Sequence, residues 1–591
     1  MDILGISCFF HDAAAALLRD GELIAAAEEE RFTRKKHDYD FPVNAIDFCL
    51  QSARISREQI DLVVFFEKPF LKFERLLLTS MQTFPKSRRV FQESMISWLT
   101  DKLWIKNLIM QRLGVSENKI IFSNHHLSHA ASAFFCSPFE EAAILTVDGV
   151  GEWATATYGI GRDTEIRILK EIRFPHSLGL LYSAFTAFLG FEVNEGEYKV
   201  MGMAPFGKAK YVDKVWKLIH QDSDGSFNLD MDYFSFHHST EKTYNQKFVD
   251  LFGPARDSAA LFFTSDSGYP SYFGDKPREY DHLARQNQHY ADIAASIQQV
   301  TEEVILKMAQ QVHKDTGLKN LCMAGGVALN SVANGRVLRE TPFEDIFIQP
   351  AAGDGGGAVG AALYGYHMVL GKPRGFVMRH AYWGKEYGPD EVGGFLRDNN
   401  ITHVRIDNDD KLYDRVVDAL QQGKVIGWFQ GRFEWGPRAL GHRSILADPR
   451  NPQMKDIVNT KIKFREPFRP FAPSVLADRA TEFFALPEPT RHYPARYMLY
   501  VVDVKDEGRD RVPAVTHVDG TARLQTVDQR VSPRYYQLIQ TFGKATGVPV
   551  VLNTSFNLKG EPIVNTPAEA FSTFSRSGMD VLVLGNHVIE K

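Results

Sequence analysis

The sequence predicts an α/β fold arranged in two domains, and three observations support this prediction. The chain has 591 residues, enough for about three to five structural units, and 44% of them are hydrophobic, so large cores can be buried. Apolar segments of strand length alternate with glycine-rich turns and helical patterns. One strand–turn–strand arrangement occurs twice and indicates an internal duplication.

The repeated arrangement consists of a strand, a turn with an acidic residue and a further strand. The acidic residues of its two copies are Asp12 and Asp148. The predicted strands are Asp2–Cys8, Ala13–Leu18, Leu23–Ala27, Ala142–Val147 and Ala154–Ile160.

Two further strands each lead into a glycine turn and a helix. Lys319–Ala324 precedes Gly325 and Gly326, and Ile346–Ile348 precedes the turn Gly353–Gly357. In open α/β sheets, backbone N–H groups and the positive end of the helix dipole meet at such turns and bind anionic oxygens. The sequence therefore predicts a nucleotide or phosphate site there.

The second half predicts another α/β domain beyond a linker at Gly371–Gly375. Its predicted strands are Val425–Phe429, Tyr497–Val504 and Val550–Leu552. Residues 205–290, rich in Asp, Ser, Phe and Tyr, predict an insertion that helps to shape a substrate site.

Composition excludes several classes of protein. A net charge of −5 gives no bulk attraction to nucleic acid or anionic lipid, and it leaves local basic patches open. The 4 cysteines form no CxxC pair, which argues against a thiolate zinc site and fits a reducing cytoplasm. The amino terminus lacks the basic region of a secretory signal, and its apolar run stops at Arg19, too short to span a bilayer.

The strongest local signal is the run Asn124–Ala130, NHHLSHA. His125 and His129 are four residues apart, so on a helix both imidazoles lie on one face and can bind one metal ion. Asp148 and Asp354 can add carboxylates, and such a set suits Fe(II), Zn(II) or Mn(II). The alternative is that the histidines are ordinary helix residues, because HxxxH alone is a weak pattern.

The pair His11-Asp12 directly follows the first strand. A histidine at such a strand end can take a proton from an attacking hydroxyl. On the residues alone, a hydrogen-bonded pair that closes the strand is the better interpretation.

Two loops of the second half, Gly431–Ser444 and Lys461–Pro470, combine arginines with Gly, Pro and aromatic residues. Guanidinium forks suit phosphate oxygens, and Trp or Phe can stack on a base. This pattern favours binding of a compact polyanion over a plain charged surface. Nucleic acid is the competing ligand, but separate loops without a long basic stripe favour a nucleotide.

Nine motifs together carry a resemblance to a known family. Those of the first half are His11–Ala14, Asn124–Ala130, Val147–Gly149, Lys199–Pro205, Gly325–Asn330 and Gly353–Gly355. Those of the second half are Trp435–Gly441, Arg465–Pro473 and Asn553–Asn557. Over nearly its whole length the chain thereby resembles the carbamoyltransferase family of NodU, the cephamycin carbamoyltransferase and TobZ.

This resemblance implies an actin/sugar-kinase-like first domain, a duplicated ribonuclease-H-like fold over residues 1–370, and a YrdC-like second domain over residues 376–591. The implied enzyme is an ATP-dependent O-carbamoyltransferase. Its second domain joins carbamoyl phosphate and ATP, with Mg(II), into carbamoyl adenylate. Its first domain, with a divalent metal that is usually Fe(II), transfers the carbamoyl group to a hydroxyl of a small natural-product acceptor. A cytoplasmic protein without nucleic-acid or membrane partners is expected, and a homodimer is one form it can take.

The resemblance also implies roles for individual residues. The catalytic pair is His11, as general base, and Asp12. The metal ligands are His125, His129, Asp148 and Asp354. The adenylate contacts are Lys36, Gly325, Gly326, Asn330, Gly355 and Gly356. The contacts to ATP and carbamoyl phosphate are Arg438, Arg443, Arg465, Arg469, Arg523, Asn553 and Ser555.

Three alternatives stay open at this point. A small-molecule kinase with an actin-like core would release ADP, whereas the preferred enzyme releases AMP and pyrophosphate. A threonylcarbamoyl transferase acting on tRNA would be expected to carry a basic surface, which the −5 balance does not favour. A nucleotide-sensing or scaffold protein would bind ATP without turnover.

Overall fold

The computed structural model describes residues 1–100 and 102–591, without the side chain at position 271. Contacts divide the chain into two compact units. The first comprises Met1–Ala26, Tyr39–Tyr269 and Asp275–Met378. The second comprises Ala27–Asp38, Pro270–Gly274 and Arg379–Lys591. Two short segments of the amino-terminal half thus belong to the second unit, which the sequence did not indicate.

Twelve described strands begin in the first unit. They are β1 (Asp2–Ser7), β2 (Ala14–Arg19), β3 (Glu22–Glu28), β4 (Leu62–Phe65), β5 (Ile120–Phe122), β6 (Glu141–Val147), β7 (Ala154–Arg162), β8 (Glu165–Arg173), β9 (Ile219–Gln221), β10 (Phe227–Leu229), β11 (Asn320–Ala324) and β12 (Asp345–Phe347).

Ten of these strands form two five-stranded sheets with one common topology, of order β3-β2-β1-β4-β5 and β8-β7-β6-β11-β12. In each sheet the central first strand pairs antiparallel with the next strand and parallel with the fourth. The predicted duplication and its ribonuclease-H-like strand order are therefore confirmed. Asp12 and Asp148 lie at equivalent places, after β1 and after β6.

The helices of this half of the chain are α1 (Glu30–Thr33), which belongs to the second unit, α2 (Val43–Ala53), α3 (Pro69–Gln82), α4 (Arg88–Thr100), α5 (Ile105–Leu113), α6 (His125–Phe134), α7 (Leu178–Phe188), α8 (Glu197–Met203), α9 (Val212–Val215), α10 (Gln246–Phe252), α11 (Tyr280–Thr316), α12 (Ser331–Glu340) and α13 (Gly357–Tyr364). The predicted insertion contains α9, the β9–β10 hairpin and α10, and α11 begins inside it.

Glycines let α6 and α13 approach each other and the first sheet. A Cβ at Gly360 on α13 would lie 1.9 Å from the carbonyl oxygen of Ser128 on α6. A Cβ at Gly5 on β1 would lie 1.9 Å from the carbonyl oxygen of Ala358 on α13. Since no side chain fits at either contact, the backbones pack directly. This packing fixes the helix that carries His125 against the turn that precedes α13.

The second unit is built on one mixed sheet of nine strands, in the order β13-β21-β20-β14-β15-β19-β16-β18-β17. Its strands are β13 (Val404–Arg405), β14 (Ile426–Phe429), β15 (Arg443–Ala447), β16 (Ala472–Leu476), β17 (Tyr500–Asp503), β18 (Thr521–Val527), β19 (Val550–Ser555), β20 (Val581–Leu584) and β21 (His587–Glu590). Its further helices are α14 (Pro389–Asp398), α15 (Asp409–Gln421), α16 (Met454–Val458), α17 (Tyr493–Arg496), α18 (Asp506–Arg509), α19 (Pro533–Thr546) and α20 (Pro567–Ser575).

The second α/β unit predicted from sequence is thus confirmed, and each of its three predicted strands contains or overlaps an observed one, namely β14, β17 and β19. The core lies between this sheet and two amphipathic helices, α15 and α19, which bury Leu412, Val416, Leu538 and Phe542 against it. No described helix is both long enough and apolar enough for a bilayer crossing.

Candidate active site

Four buried side chains of the first unit converge on one point. His125 and His129 lie one turn apart on α6, Asp148 follows β6, and Asp354 lies in the glycine turn after β12. Their nearest nitrogen and oxygen atoms all lie within 4.8 Å of one another. These are the four residues that the sequence proposed as metal ligands, and the structure brings them together.

Distances within the group match those of a shared ion. His125 Nε2 lies 3.1 Å from Asp148 Oδ2 and 3.4 Å from Asp354 Oδ1, and His129 Nε2 lies 3.4 Å from Asp354 Oδ1. The two Nε2 atoms are 3.1 Å apart. Ligand bonds of roughly 2.1 Å place neighbouring ligand atoms about 3.0–3.4 Å apart, so these four distances fit one coordination sphere. His129 Nε2 lies further from Asp148 Oδ2, at 3.8 Å.

Hydrogen bonds within the group leave buried carboxylate oxygens unsatisfied, and a bound cation would satisfy them. Asp354 is fully buried, and neither of its carboxylate oxygens has a hydrogen-bond partner among the residues that the structure describes. A buried charge without compensation is costly, and two imidazoles facing two carboxylates without thiolates make a donor set for a hard or borderline divalent metal. The four residues therefore fit a metal ion of this kind.

His126, between the two converging histidines, faces another way. Its Nδ1 lies 2.7 Å from Thr146 Oγ1 and its Nε2 lies 2.9 Å from the carbonyl oxygen of Ala154. Burial, with His125 and His129 nearby, lowers the pKa of His126 to about 3. It is a neutral, structural residue of α6.

Two glutamates that the sequence reasoning missed orient His125. Glu152 accepts hydrogen bonds from the backbone N–H of His125, at 3.0 and 3.1 Å. Glu67 Oε2 lies 3.7 Å from His125 Nδ1 and accepts a 2.7 Å hydrogen bond from Lys72. Burial raises the pKa of Glu67, but Lys72 and His125 lower it to about 2, so it is a carboxylate. No motif after β4 identifies Glu67 from the sequence. Glu152 lies four residues after Asp148, so its position close to a candidate metal ligand could have suggested it.

Replacing Glu67 by glutamine should weaken metal binding without removing a ligand. The change keeps the shape but removes the charge that faces the far nitrogen of His125, and losses of outer partners of this kind typically cost about 10–100-fold in metal affinity. Competition of the purified protein with a chromophoric chelator measures that affinity. Glu74→Gln, on the exposed side of α3, is the matched control, and equal affinities of the two variants would contradict the role of Glu67.

The pair His11 and Asp12 lies beside the four converging residues. His11 Nδ1 lies 2.9 Å from Asp12 Oδ2, and His11 Nε2 lies 3.7 Å from Asp354 Oδ2. Burial lowers the pKa of His11, but the Asp354 and Asp12 carboxylates outweigh it and raise that pKa to about 9. Because a carboxylate only accepts, Nδ1–H donates to Asp12 and Nε2 is aimed at the cluster.

The predicted glycine turns position this site and its surroundings. The backbone N–H of Gly326 donates to Asp148 Oδ1 at 2.7 Å. Gly355 and Gly356 form the buried turn with Asp354. Asn330 caps α12 through a bond from the N–H of Ala333 and also bonds Gln298. These residues lie in the first unit, whereas Lys36, half-buried, lies in the Ala27–Asp38 segment of the second.

Gly325→Ala should destabilise the first unit. Gly325 has φ +95°, and a Cβ there would lie 2.2 Å from the carbonyl oxygen of Val147. The left-handed backbone and the clash with a strand should together cost more than about 2 kcal/mol in the free energy of unfolding. Urea denaturation measures this cost. Gly114→Ala is the control: its φ is +67° with no atom within 4 Å of the added Cβ, so it carries the backbone cost alone, and an equal loss in both variants would contradict the clash.

In the second unit, the loop that carries Arg438 is held by buried charges. Glu434 Oε1 accepts hydrogen bonds from the N–H groups of Leu440 and His442, both at 2.8 Å. Gly436 donates to Glu28 at 2.7 Å and accepts from Arg31 at 2.7 Å. The half-buried Arg438 is therefore presented by a rigid loop.

Arg443 does not fit the role proposed for it. Its side chain is fully buried, and its guanidinium donates to the carbonyl oxygens of Gln430, Gly431 and His442 and lies 3.6 Å from the centre of the Phe429 ring. Burial lowers its pKa to about 10. Since backbone carbonyls occupy the fork, Arg443 supports the loop and does not offer donors to a nucleotide.

A second cationic group surrounds the end of β19. Lys463, which the sequence reasoning did not select, is buried and donates to Ser555, through its carbonyl, and to Asn557 Oδ1 at 2.8 Å. Burial, with Arg465 and Arg469 nearby, holds its pKa well below the usual range. Only its burial distinguishes Lys463 from the neighbouring Lys461, and the sequence does not show burial.

The other predicted contacts of this unit are partly engaged within the protein. Arg465 Nε donates to Asn459 at 3.3 Å, and Arg469 pairs with Glu466 at 2.8 Å. Asn553 is buried and donates to the carbonyl oxygen of Ala439 in the Arg438 loop at 3.1 Å, so β19 and this loop are joined. Within the described part of the chain, Asn553 Oδ1 has no hydrogen-bond partner. Arg523 lies half-buried on β18.

Family comparisons cover both halves of the chain. Residues 2–363 match the model of the carbamoyltransferase N-terminus, and residues 417–591 match that of the carbamoyltransferase C-terminus. The chain is 47% identical to the uncharacterized protein sll1178 of Synechocystis sp., over 100% of this chain and 96% of that protein. It is 38% identical to the nodulation protein NolNO of Sinorhizobium fredii, over 99% of this chain and 79% of that protein.

The solved structures that match this chain do so with low sequence identity and low TM-scores. Component A of the (R)-2-hydroxyglutaryl-CoA dehydratase of Acidaminococcus fermentans has 14% identity and a TM-score of 0.30, covering 63% of this chain and 99% of that one. HypF of T. kodakarensis has 14% identity and a TM-score of 0.30, covering 63% of this chain and 48% of that one.

Proposed function

Because the chain belongs to the carbamoyltransferase family and is therefore a transferase, we propose that it is an ATP-dependent O-carbamoyltransferase that acts in two steps. The second unit makes carbamoyl adenylate from carbamoyl phosphate and ATP. The first unit transfers the carbamoyl group from the adenylate to a hydroxyl of a small acceptor. The observation that carries the proposal is the buried convergence of His125, His129, Asp148 and Asp354 beside His11.

The transfer step needs a polarised carbonyl and a base. The four converging residues would hold a divalent metal, with Fe(II) as the preferred ion, which supplies Lewis-acid polarisation of the carbamoyl carbonyl. A cation held by the four residues would balance the Asp354 and Asp148 carboxylates that raise the pKa of His11, so Nε2 would be unprotonated. His11 then takes the proton of the acceptor hydroxyl at Nε2 as the hydroxyl oxygen bonds to the carbamoyl carbon and AMP leaves. Asp12 keeps His11 in the required tautomer through the 2.9 Å bond to Nδ1.

The activation step suits the cationic loops of the second unit. Water hydrolyses carbamoyl phosphate to carbamate and inorganic phosphate, and a carbamate oxygen then bonds to the α-phosphorus of Mg-ATP as the bond to the leaving pyrophosphate breaks. We assign Arg438, Arg465, Arg469 and Arg523 to the phosphate oxygens of the two substrates. Asn553 Oδ1, which is buried without a hydrogen-bond partner in residues 1–100 and 102–591, and Ser555 are assigned to polar contacts beside them. Lys463 is not added to this set, because its ammonium donates to Ser555 and Asn557 within the protein. Arg443 is left out of the substrate contacts, because backbone carbonyl oxygens occupy its guanidinium.

Adenylation has a chemical advantage. The carbamoyl group becomes attached to a large nucleotide, so binding energy from the adenosine and the glycine turns can orient a very small reacting group. We assign the adenylate in the first unit to Gly325, Gly326, Asn330, Gly355 and Gly356.

Mass spectrometry of the complete reaction tests the proposal. The protein is incubated with Fe(II), Mg-ATP, carbamoyl phosphate and a panel of hydroxylated compounds, which includes aminoglycosides, β-lactam precursors, macrolactams and oligosaccharides. The expected result is one acceptor whose mass rises by one carbamoyl group, with AMP and pyrophosphate as co-products. Phosphorylated acceptor with ADP would identify a kinase instead and contradict the proposal.

A further inference from the structure

Exposed large apolar side chains of the first unit are concentrated in one stretch of the chain. Of the nineteen such side chains that the described residues expose, nine lie between positions 70 and 104, on α3, α4 and the segments that follow them. They are Phe70, Leu71, Leu78, Met81, Phe84, Phe91, Ile96, Leu99 and Trp104. We call them the α3–α4 surface. A concentration of this kind marks an interaction site.

Helix α3 is oriented with its apolar side outward. Phe70 and Met81 are 71% and 65% exposed, while Lys72 and Arg75 on the opposite side are buried. Lys72 is held there by its 2.7 Å hydrogen bond to the buried Glu67. Rotating the helix to bury Phe70 would break this ion pair and leave Glu67 as an unpaired buried charge, which is strongly unfavourable. The fold therefore keeps the apolar side chains of α3 exposed.

The segment around this surface is basic in an acidic protein. Residues 68–106 contain eight lysines and arginines against three acidic residues, whereas the whole chain has a net charge of −5. Lys86 and Arg88 are exposed in and directly after the turn between α3 and α4, and neither forms a salt bridge in the described part of the chain. Lys86 lies near enough to Asp232, which pairs with Lys247, to contribute to lowering the pKa of that carboxyl. Arg89 pairs with Glu93 and Glu241.

We propose that the α3–α4 surface binds the face of an anionic phospholipid bilayer, so that the protein is peripherally associated with membranes. Exposed apolar and aromatic side chains flanked by unpaired cations are the combination by which helices enter the headgroup region of such a bilayer. A second copy of the chain is a poorer occupant, because a two-fold contact through this surface would bring Lys86 and Arg88 of both copies together. The expectation of no membrane partner came from the net charge of the whole chain, which does not describe this local surface.

Co-sedimentation of the full chain with vesicles tests the proposal. The protein should partition onto vesicles of equal parts phosphatidylglycerol and phosphatidylcholine and much less onto phosphatidylcholine alone. Each basic residue near an anionic surface contributes about fivefold to the partition constant, so Lys86→Glu with Arg88→Glu should lower it about 25-fold or more. Phe70→Ser with Met81→Ser should lower it on both kinds of vesicle.

Matched variants decide whether the effect belongs to this surface. Lys544→Glu with Lys559→Glu makes the same change of charge at exposed positions of the second unit, and Leu261→Ser removes an exposed apolar side chain elsewhere; both should leave binding unchanged. Circular dichroism checks folding, and if the serine variant fails to fold, the charge variant decides alone.

The proposal is overturned if the unaltered protein stays in the supernatant with anionic vesicles, or if the α3–α4 variants bind as tightly as the controls. Sedimentation velocity provides the third outcome. A dimer that Phe70→Ser with Met81→Ser dissociates would identify a second copy of the chain as the occupant and would also overturn it.

Discussion

His129→Ala is expected to abolish carbamoyl transfer and to leave AMP formation intact. We propose the Nε2 atom of His129, which lies 3.4 Å from Asp354 Oδ1, as one of four metal-ligand atoms. Loss of an outer partner typically costs about 10–100-fold in metal affinity or activity, so loss of a direct ligand should cost more than about 100-fold in the rate of transfer. Bound metal, measured by elemental analysis, should fall with the transfer rate.

His126→Ala is the control for this change, because His126 lies on the same helix, three residues before His129. His126 bonds Thr146 and Ala154 and does not face the cluster, so the variant should lose stability yet keep its metal and transfer activity. If AMP formation disappears together with transfer in a folded His129→Ala protein, the proposed division of labour between the units is wrong.

Arg438→Ala is expected to give the opposite pattern, with AMP formation lost and transfer from supplied carbamoyl adenylate retained. The loop that carries Arg438 is fixed by Glu434, Glu28 and Arg31, so a preorganised donor is removed. Removal of one such donor typically costs about 10²–10³ in rate. Release of pyrophosphate in a coupled assay measures the first step.

Arg432→Ala provides the matched control, because Arg432 belongs to the same loop and is exposed. It should retain the rate of pyrophosphate release. Equal losses in the two arginine variants would indicate general disruption of the loop, and an unchanged rate in Arg438→Ala would remove this residue from the activation site.

Much of the fold could be predicted because its signals are local. The acidic turns at Asp12 and Asp148 follow equivalent strands in the two sheets, and the predicted duplication is confirmed by their strand order. The pattern could not show that Ala27–Asp38 belongs to the second unit. That assignment depends on long-range contacts, such as those of Arg34 with the carbonyl oxygens of Pro562 and Ile563, which no periodicity records.

Only part of the candidate site could be predicted from the sequence. HxxxH on a helix fixes the relative position of two imidazoles, and strand ends bring Asp148 and Asp354 to them. For the basic residues of the second unit, burial determines which side chains are engaged within the protein, and the sequence does not show burial. Arg443 and Lys463 lie in equally basic loops, yet the first is enclosed by carbonyl oxygens while the second holds the end of β19. Glu67 is assigned only by its contacts, since it belongs to no motif.

The most direct test of the account is to look for the intermediate itself in the His129→Ala protein. The variant is mixed with Mg-ATP and ¹³C-labelled carbamoyl phosphate without an acceptor, quenched rapidly and analysed by mass spectrometry. The account predicts that labelled carbamoyl adenylate accumulates together with pyrophosphate. ADP as the nucleotide product, with no labelled adenylate at any time, would contradict it.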